Sequence, residues 1–127
     1  MKGMVIKVGL FDIGLGLISG LAESSGASIG KIPLKEAKSS APNEMGCYKI
    51  YCDGGLKYVG KAEDGIRKRF VQYYNGTTAH YPSAKKIYEN RDRIKVSWVI
   101  CKTREQCKSL EKQWYDQYKP EWNDRRG

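Results

Sequence analysis

The stretch of sequence that decides the fold is CYKIYCDGGLKYVGKAEDGIRKRFVQYY, which runs from Cys47 to Tyr74. It opens with two runs of β-forming residues, at 47–52 and 56–59, which are separated by Asp53-Gly54-Gly55. An Asp-Gly pair between two such runs is a strong short-range signal for a β-hairpin. We therefore expect a hairpin whose second strand ends at Gly60.

The second half of this stretch predicts a helix. Asp64 is the expected N-cap, and Asn75-Gly76 is the expected stop, because these residues readily adopt the left-handed conformation that ends helices. The apolar residues between them recur at helical spacing and are Ile66, Phe70, Val71 and Tyr74. A second, shorter helix is expected to begin at Ser83.

A third strand and a last helix complete the predicted domain. The run IKVSWVIC at 94–101 is apolar enough for a mostly buried strand. Thr103 and Gln106 match the T-x-x-Q capping box that starts a helix, and Pro120 forbids its continuation. The order ββααβα predicts a mixed α+β domain over residues 45–127, with a small, at least partly antiparallel three-stranded sheet flanked by helices.

Residues 1–44 differ in composition from the rest of the chain. They are rich in Gly, Ser and Ala, and their one aromatic residue is Phe11. We expect a flexible N-terminal arm or linker there. One alternative is a short amphipathic helix on the spacing of Leu10, Ile13, Leu17 and Leu21. A secretion signal within residues 1–25 is another, although we favour a cytoplasmic location.

Length and hydropathy exclude several classes of protein. The chain has 127 residues and a mass of 14.4 kDa, which fits one domain and excludes two full domains. No apolar run reaches the ~18 residues that a membrane-spanning helix needs. We therefore expect no integral membrane association.

The charge indicates a polyanionic partner. The formal net charge is +9 and the sequence pI is about 9.4, and most of the 23 Lys and Arg residues lie after residue 44, together with nearly all aromatic residues. A compact, basic and tyrosine-rich segment is typical of nucleic-acid binding. The alternative is a basic surface that serves solubility alone.

The four cysteines stand at positions 47, 52, 101 and 107 and form no Cys-x-x-Cys pair. Their spacings, Cys-x4-Cys and Cys-x5-Cys, are poor for zinc, and His80 is the one histidine of the chain. We therefore expect small buried apolar residues in a reducing compartment rather than metal ligands.

Several reactive groups fall near the hairpin. The predicted pairing brings Tyr48 and Tyr58 within about one residue of direct opposition, so that both phenols share one face of the sheet. Arg67-Lys68-Arg69 opens the next helix, and Glu111 lies at the core boundary of the last helix. The structural alternatives for these features are a cross-strand aromatic pair, a solvated cationic face and a surface glutamate.

The order of these motifs resembles that of the GIY-YIG endonuclease family. Gly46-Cys47-Tyr48 and Tyr58-Val59-Gly60 are similar to the paired signature, with Cys and Val at its variable positions. YVGKAEDGIRKRFVQYY resembles the Y-[IV]-G-K…R-x-R…Y stretch that follows, with one extra residue around Asp64-Gly65. SLEKQWYDQYKPEWN resembles the Glu-bearing helix and the Tyr-Lys-Pro-x-x-Asn ending of the family. The resemblance covers roughly residues 45–124.

The resemblance implies roles for the residues around the hairpin. It assigns Tyr48 and Tyr58 to the signature tyrosines and Lys61 to the lysine after the second motif. It assigns Arg69 to the catalytic arginine, with Arg67 as the fallback because of the extra residue. Within this set we expect Tyr58 to act as the general base, Tyr48 to orient it, and the Lys61 charge to favour the ionised phenol.

Later positions complete the implied site. Tyr73 matches a position that carries His or Tyr and could share the role of base. Glu111 matches the metal-binding glutamate, and Asn123 matches the asparagine that orders the site. The remaining cations are expected to follow the nucleic-acid backbone, and they are Arg67, Lys68, Lys85, Lys86, Arg91, Arg93 and Lys95.

The resemblance further implies a divalent-metal-dependent endonuclease that hydrolyses phosphodiester bonds in DNA. Its cofactor is expected to be Mg²⁺ or Mn²⁺, and its partner double-stranded or branched DNA. Repair, restriction, phage and mobile-element roles stay open, as do a monomer and a dimer. The alternative functions are a catalytically inactive nucleic-acid-binding module, and a toxin or effector nuclease that uses the arm for delivery or inhibition.

Overall fold

The computed structural model describes residues 30–123, in which four strands form one antiparallel sheet with helices on both faces. The strands are β1 (Ile32–Pro33), β2 (Gly46–Cys52), β3 (Gly55–Ala62) and β4 (Ile94–Ile100). The helices are α1 (Leu34–Ser40), α2 (Ile66–Asn75), α3 (Pro82–Glu89) and α4 (Arg104–Tyr118), with a short 3₁₀ helix at Arg91–Arg93. The order across the sheet is β1-β4-β2-β3, so β3 lies at one edge. The predicted α+β class is confirmed.

The β2–β3 hairpin forms where the Asp-Gly pair predicted it. Asp53 and Gly54 have φ angles of 53° and 86°, and two successive positive values are what a two-residue type I′ turn requires. The second strand is longer than expected: it continues past the predicted end at Gly60 and ends at Ala62.

The sheet has four strands, and the expected number of three is wrong. The additional strand is β1, which pairs antiparallel with β4 through Ile32 opposite Val96 and Pro33 opposite Lys95. Two residues are too few to show the alternation of polar and apolar side chains that marks a strand, and proline argues against one. The contact with β4, rather than the local sequence, therefore creates β1.

The expected flexible arm at residues 1–44 is wrong for residues 30–44. This part contains β1 and α1, and Leu34, Ala37 and Ala41 are fully buried in the core. The three residues stand three and four positions apart, which is the spacing of an apolar helix face. The surrounding Lys and Ser residues obscured that face in the sequence. The predicted amphipathic helix and the alternative secretion signal lie outside the described residues.

One predicted helix end and one predicted helix start are confirmed, and another predicted start is wrong. Gly76 ends α2 in the left-handed conformation, and Thr103 and Gln106 form the complete capping box of α4. The expected N-cap Asp64 is wrong, because Gly65 occupies that position in α2.

Alternation along β2 divides the molecule into two layers. Tyr48 and Ile50 face the main core with α1, α2 and α3, whereas Cys47 faces a smaller cluster under α4. α4 also packs along β3. No helix within residues 30–123 is long and apolar enough to cross a membrane.

Candidate active site

Tyr48 lies at the centre of the candidate site, on the α2 face of β2. Its side chain is fully buried, and its ring packs edge-on against Phe70 with 5.5 Å between centroids. Its hydroxyl shares a 2.5 Å hydrogen bond with the hydroxyl of Tyr73. Nη1 of Arg69 donates to the same Tyr48 oxygen at 3.5 Å. One buried oxygen therefore connects β2 to two residues that lie one turn apart on α2.

Tyr58 lies diagonally across the hairpin from Tyr48, with 6.3 Å between ring centroids. The register pairs Tyr48 with Gly60 and Ile50 with Tyr58, so both phenols lie on one face, as predicted. The expected near-direct opposition is replaced by an offset of two residues.

A bulge in the hairpin produces this arrangement. The register shifts between Ile50 and Tyr51, which leaves Lys57 of β3 without a direct partner in β2. Continuing the pairing from Tyr51 without that shift would place Tyr58 opposite Lys49, on the other face of the sheet. The extra residue therefore turns the Tyr58 phenol toward the site.

Gly60 makes room for the Tyr48 ring. A Cβ atom at position 60 would lie 2.6 Å from the Tyr48 hydroxyl oxygen and 2.9 Å from Cε2 of Tyr58. Both distances are too short for any side chain, because the Tyr48 phenol lies directly over the backbone of the opposite strand. The glycine of Tyr58-Val59-Gly60 is thus a steric requirement of the site.

Arg69 is the arginine that reaches the tyrosine cluster. Its Nη1 also donates to the main-chain carbonyl of Lys61 at 3.2 Å, and its Nη2 lies 3.8 Å from Oδ1 of Asp64. Arg67 instead donates from Nε to the carbonyl of Ala41 at 2.7 Å. The ion pair with Asp64 was not expected, since the sequence indicated a capping role for that residue.

Burial controls the protonation of the two inner phenols. Desolvation raises the pKa of Tyr48 well above its usual value, and the nearby Tyr73 and Tyr58 raise it further. Desolvation likewise raises the pKa of Tyr73. Burial lowers the pKa of Arg69, but the Tyr48 and Tyr73 oxygens more than offset this, so the guanidinium stays charged. Both inner phenols are therefore neutral near pH 7 and serve as hydrogen-bonding groups.

Glu111 approaches the sheet from the α4 side. It is a buried carboxyl, 8% exposed, on the stripe of α4 that faces the sheet, as its expected position at the core boundary implied. Lys61 points to that side as well, because it stands opposite Cys47, and its Nζ pairs with Glu63 at 3.1 Å. The Lys61 ammonium therefore lies on the face opposite to Tyr58, contrary to the expectation that it lies near a phenol.

The candidate residues thus come from both faces of the sheet. Direct contacts or ring packing unite four of them on the α2 face, namely Tyr48, Tyr58, Arg69 and Tyr73. Glu111 belongs to the helix on the other face, which packs along β3. β3 is an edge strand, so the two faces of the sheet meet along its outer side.

Asn123 attaches the end of the described chain to β3. The N–H of Val59 donates to Oδ1 of Asn123, and Nδ2 of Asn123 donates to the carbonyl of Val59, both at 2.9 Å. The N–H of Trp122 donates to the carbonyl of Lys57 at 2.8 Å. The asparagine amide thereby takes the place of a strand residue on the outer side of β3, next to Tyr58.

The cations expected to contact nucleic acid differ in their surroundings. Arg93 pairs with Asp53 at 3.2 Å, and the guanidinium of Arg91 lies over the ring of Tyr88 at 4.2 Å. The lysines of α3 are exposed, and they are Lys85 and Lys86.

Known proteins resemble this chain in sequence. The GIY-YIG catalytic domain family matches residues 44–125. UvrABC system protein C of Mycoplasmopsis agalactiae is 38% identical over 66 residues, which make up 52% of this chain and 11% of that protein. UvrABC system protein C of Acidothermus cellulolyticus is 29% identical over 90 residues, which make up 70% of this chain and 14% of that protein. The chain therefore matches a small part of these relatives.

Solved structures resemble it in fold. The GIY-YIG N-terminal endonuclease domain of UvrC from Thermotoga maritima, bound to magnesium as its catalytic divalent cation, has a TM-score of 0.59 at 23% identity. The match covers 72% of this chain and 96% of that domain. At this level of identity the likeness concerns the fold. The family match over residues 44–125, more than half of the chain, shows that this protein belongs to the GIY-YIG family.

Proposed function

We propose that this protein is a divalent-metal-dependent endonuclease that hydrolyses phosphodiester bonds in DNA. The observation that carries the proposal is the junction at the Tyr48 oxygen, where Tyr73 and Arg69 meet beside Tyr58. Membership of the GIY-YIG family and the likeness to a UvrC endonuclease domain support the same activity. A net charge of +9 suits a polyanionic substrate.

Tyr58 is the proposed general base. A base must reach the attacking water, and Tyr58 is half-buried whereas Tyr48 and Tyr73 are buried. The raised pKa values of the two inner phenols also keep their protons in place. As the phenolate, Tyr58 accepts a proton from the attacking water and becomes a neutral phenol. Tyr73 acts as a positioning residue rather than sharing the role of base.

Arg69 is proposed to bind non-bridging oxygens of the scissile phosphate. Its side chain is 29% exposed, so the guanidinium is held firmly but still faces solvent. A planar, permanently charged fork matches the geometry of phosphate oxygens. Tyr48 and the carbonyl of Lys61 position this fork from inside the protein.

Glu111 has the chemistry of a ligand for Mg²⁺ or Mn²⁺. Among residues 30–123, the one group of three His, Cys, Asp or Glu side chains close enough to share an ion consists of cysteines, so Glu111 does not belong to a cluster of that kind. One carboxylate is sufficient for Mg²⁺, because this ion keeps several of its waters. When bound, such an ion stabilises negative charge on the phosphate and on the leaving oxygen. Glu111 would hold this ion, and Asn123 keeps the adjoining edge strand in position.

Nicking of supercoiled plasmid DNA tests the proposal. We expect nicking with Mg²⁺, none with EDTA, and a loss of roughly a hundredfold or more in Glu111→Gln, which keeps the shape of the side chain but removes its charge. Glu105→Gln is the matched control, because Glu105 is an exposed residue in the first turn of the same helix. Equal nicking with Mg²⁺, with EDTA and by Glu111→Gln would reject the proposal.

A further inference from the structure

Three of the four cysteines meet on the α4 face of the sheet. Cys47 lies on β2, Cys101 directly follows β4, and Cys107 lies near the start of α4. Their Sγ atoms all lie within 4.8 Å of one another. The spacing of the cysteines in sequence argued against a metal site, but three separate elements bring these thiols together.

The cluster is buried, with one side close to solvent. Cys47 and Cys107 are fully buried, whereas Cys101 is 7% exposed and is followed by the exposed residues Lys102 and Thr103. Cys101 is therefore the most exposed of the three cysteines. Lys61, opposite Cys47 in the hairpin, lies on the same face, where its Nζ pairs with Glu63 at 3.1 Å.

We propose that Cys47, Cys101 and Cys107 form a binding site for one thiophilic divalent cation of the zinc class. Metal–sulfur bonds of about 2.3 Å in a tetrahedral site place the sulfurs about 3.8 Å apart, so the three thiols need to move by less than about 1 Å. Soft thiolate ligands select such cations over Mg²⁺. The fourth position remains for a water on the Cys101 side.

Binding exchanges protons for the cation. One divalent ion and three thiols give one tris-thiolate complex and three released protons, with no change of oxidation state. The Sγ of Cys47 at present donates to the main-chain carbonyl of Cys107 at 3.1 Å. That hydrogen bond is given up when the Cys47 sulfur becomes a ligand.

The site has a consequence for the nuclease. Cys47 immediately precedes Tyr48 in β2, and Cys107 stands one turn before Glu111 in α4. A cation bound to both cysteines fastens α4 to β2 and thereby fixes Glu111 relative to the tyrosine cluster. This consequence rests on the proposed nuclease function, whereas the binding site itself does not.

Titration of the reduced full chain with Cd²⁺ tests the site, with excess Mg²⁺ present to occupy oxygen ligands. Cadmium serves as the probe for zinc because cadmium–thiolate bonds absorb in the ultraviolet. We expect this absorption to saturate at one ion per chain and to be reversed by Zn²⁺. Cys101→Ala, at the least buried of the three cysteines, should weaken binding at least ~10-fold, the lower end of what even an outer-shell change costs.

Cys52→Ala is the matched control, because Cys52 is the fourth buried cysteine and lies in the main core on the other face of the sheet. This variant should bind Cd²⁺ as the wild type does. Glu111→Gln should also bind Cd²⁺ normally. Cd²⁺ binding therefore tests the thiol site separately from the nuclease proposal. No cadmium–thiolate absorption in the wild type would overturn the site, and this outcome needs no variant to fold. Equal binding by Cys101→Ala and the wild type, or equal loss in Cys52→Ala, would overturn it as well.

Discussion

Arg69 and Arg67 stand two positions apart and hold different parts of the molecule. Arg69 donates to the Tyr48 oxygen, whereas Arg67 donates to the carbonyl of Ala41. We expect Arg69→Ala to slow nicking by roughly 10²–10³-fold, or about 3 kcal/mol of barrier, because a charge that faces the developing negative phosphate is lost. Arg67→Ala should retain most of the activity. Single-turnover rates at saturating DNA compare the two, and similar losses would argue against the assignment.

Gly60 offers a second comparison at the level of single residues. A methyl group there would collide with the buried ring of Tyr48, so Gly60→Ala should lower the free energy of unfolding by about 1–3 kcal/mol. Gly55 belongs to the same strand, and a Cβ there would have the flexible side chain of Lys57 as its nearest neighbour at 3.7 Å. Gly55→Ala should therefore change stability by less than about 0.5 kcal/mol. Urea unfolding measures both, and equal effects would contradict the steric role.

The desolvated phenols predict how stability depends on pH. The pKa of Tyr48 is higher in the folded protein than the ~10 of the unfolded chain, so the unfolded chain loses this proton first. The free energy of unfolding should be unaffected by this group below about pH 10. It should then fall by about 1.4 kcal/mol per pH unit for each such tyrosine as the pH rises above that value.

Tyr48→Phe tests this dependence, because it removes one titrating group from the buried site. The alkaline fall in stability should be shallower in this variant by about 1.4 kcal/mol per pH unit. Tyr81→Phe, at a side chain that is 59% exposed, is the control and should keep the wild-type slope. Urea unfolding at several pH values on either side of about 10 gives the slopes, and identical slopes in all three proteins would refute the effect.

The sequence selected the candidate residues of the site but did not show how they are arranged in space. Helical periodicity placed Glu111 at the core boundary, and the motif order selected Tyr48 and Tyr58. Only the tertiary structure shows which of Arg69 and Arg67 contacts the tyrosine cluster, because both lie in the first turns of one helix. Likewise, no local pattern marks the bulge that turns Tyr58 toward Tyr48, since the bulge depends on how two strands pair.

At the level of elements, local signals predicted several of the boundaries that turns and caps set. The type I′ turn fixed the hairpin, Gly76 ended α2, and the Thr103 capping box started α4. β1 and α1 were missed because tertiary contacts define them. β1 is ordered by pairing with β4, and α1 buries mostly small residues between polar ones.

The edge strand β3 is the element whose integrity the site requires. Asn123 occupies both backbone groups of Val59, so Asn123→Ala should expose the Val59 amide to solvent. With about 1 kcal/mol for each of the two hydrogen bonds, we expect hydrogen exchange at Val59 to become roughly tenfold faster or more. Amides of β2, in the interior of the sheet, should keep their protection. Unchanged exchange at Val59 would show that the asparagine does not hold the strand.

On the scale of the whole molecule, the candidate site uses an edge of the sheet that both helical layers adjoin. Tyr48 and Arg69 approach from one layer and Glu111 from the other. Composition alone indicated the polyanionic partner. The division of the site residues between the two layers follows from alternation in β2, and it could not be read without the strand register.

The exposed lysines of α3 are a testable location for the DNA contact that the positive net charge indicates. We expect the double variant Lys85→Gln/Lys86→Gln to bind duplex DNA more weakly and to lower the slope of log K against log salt by up to about 1.8, or about 0.9 for each phosphate contact. The control removes the same charge on the α4 side, through Lys102→Gln/Lys108→Gln at exposed positions. Binding is measured with EDTA so that the DNA stays intact. If both pairs of substitutions reduce the slope equally, DNA responds to net charge alone and the α3 lysines do not line its path. A reduction of the slope confined to Lys85→Gln/Lys86→Gln places the DNA backbone along α3, because only a contact releases counterions.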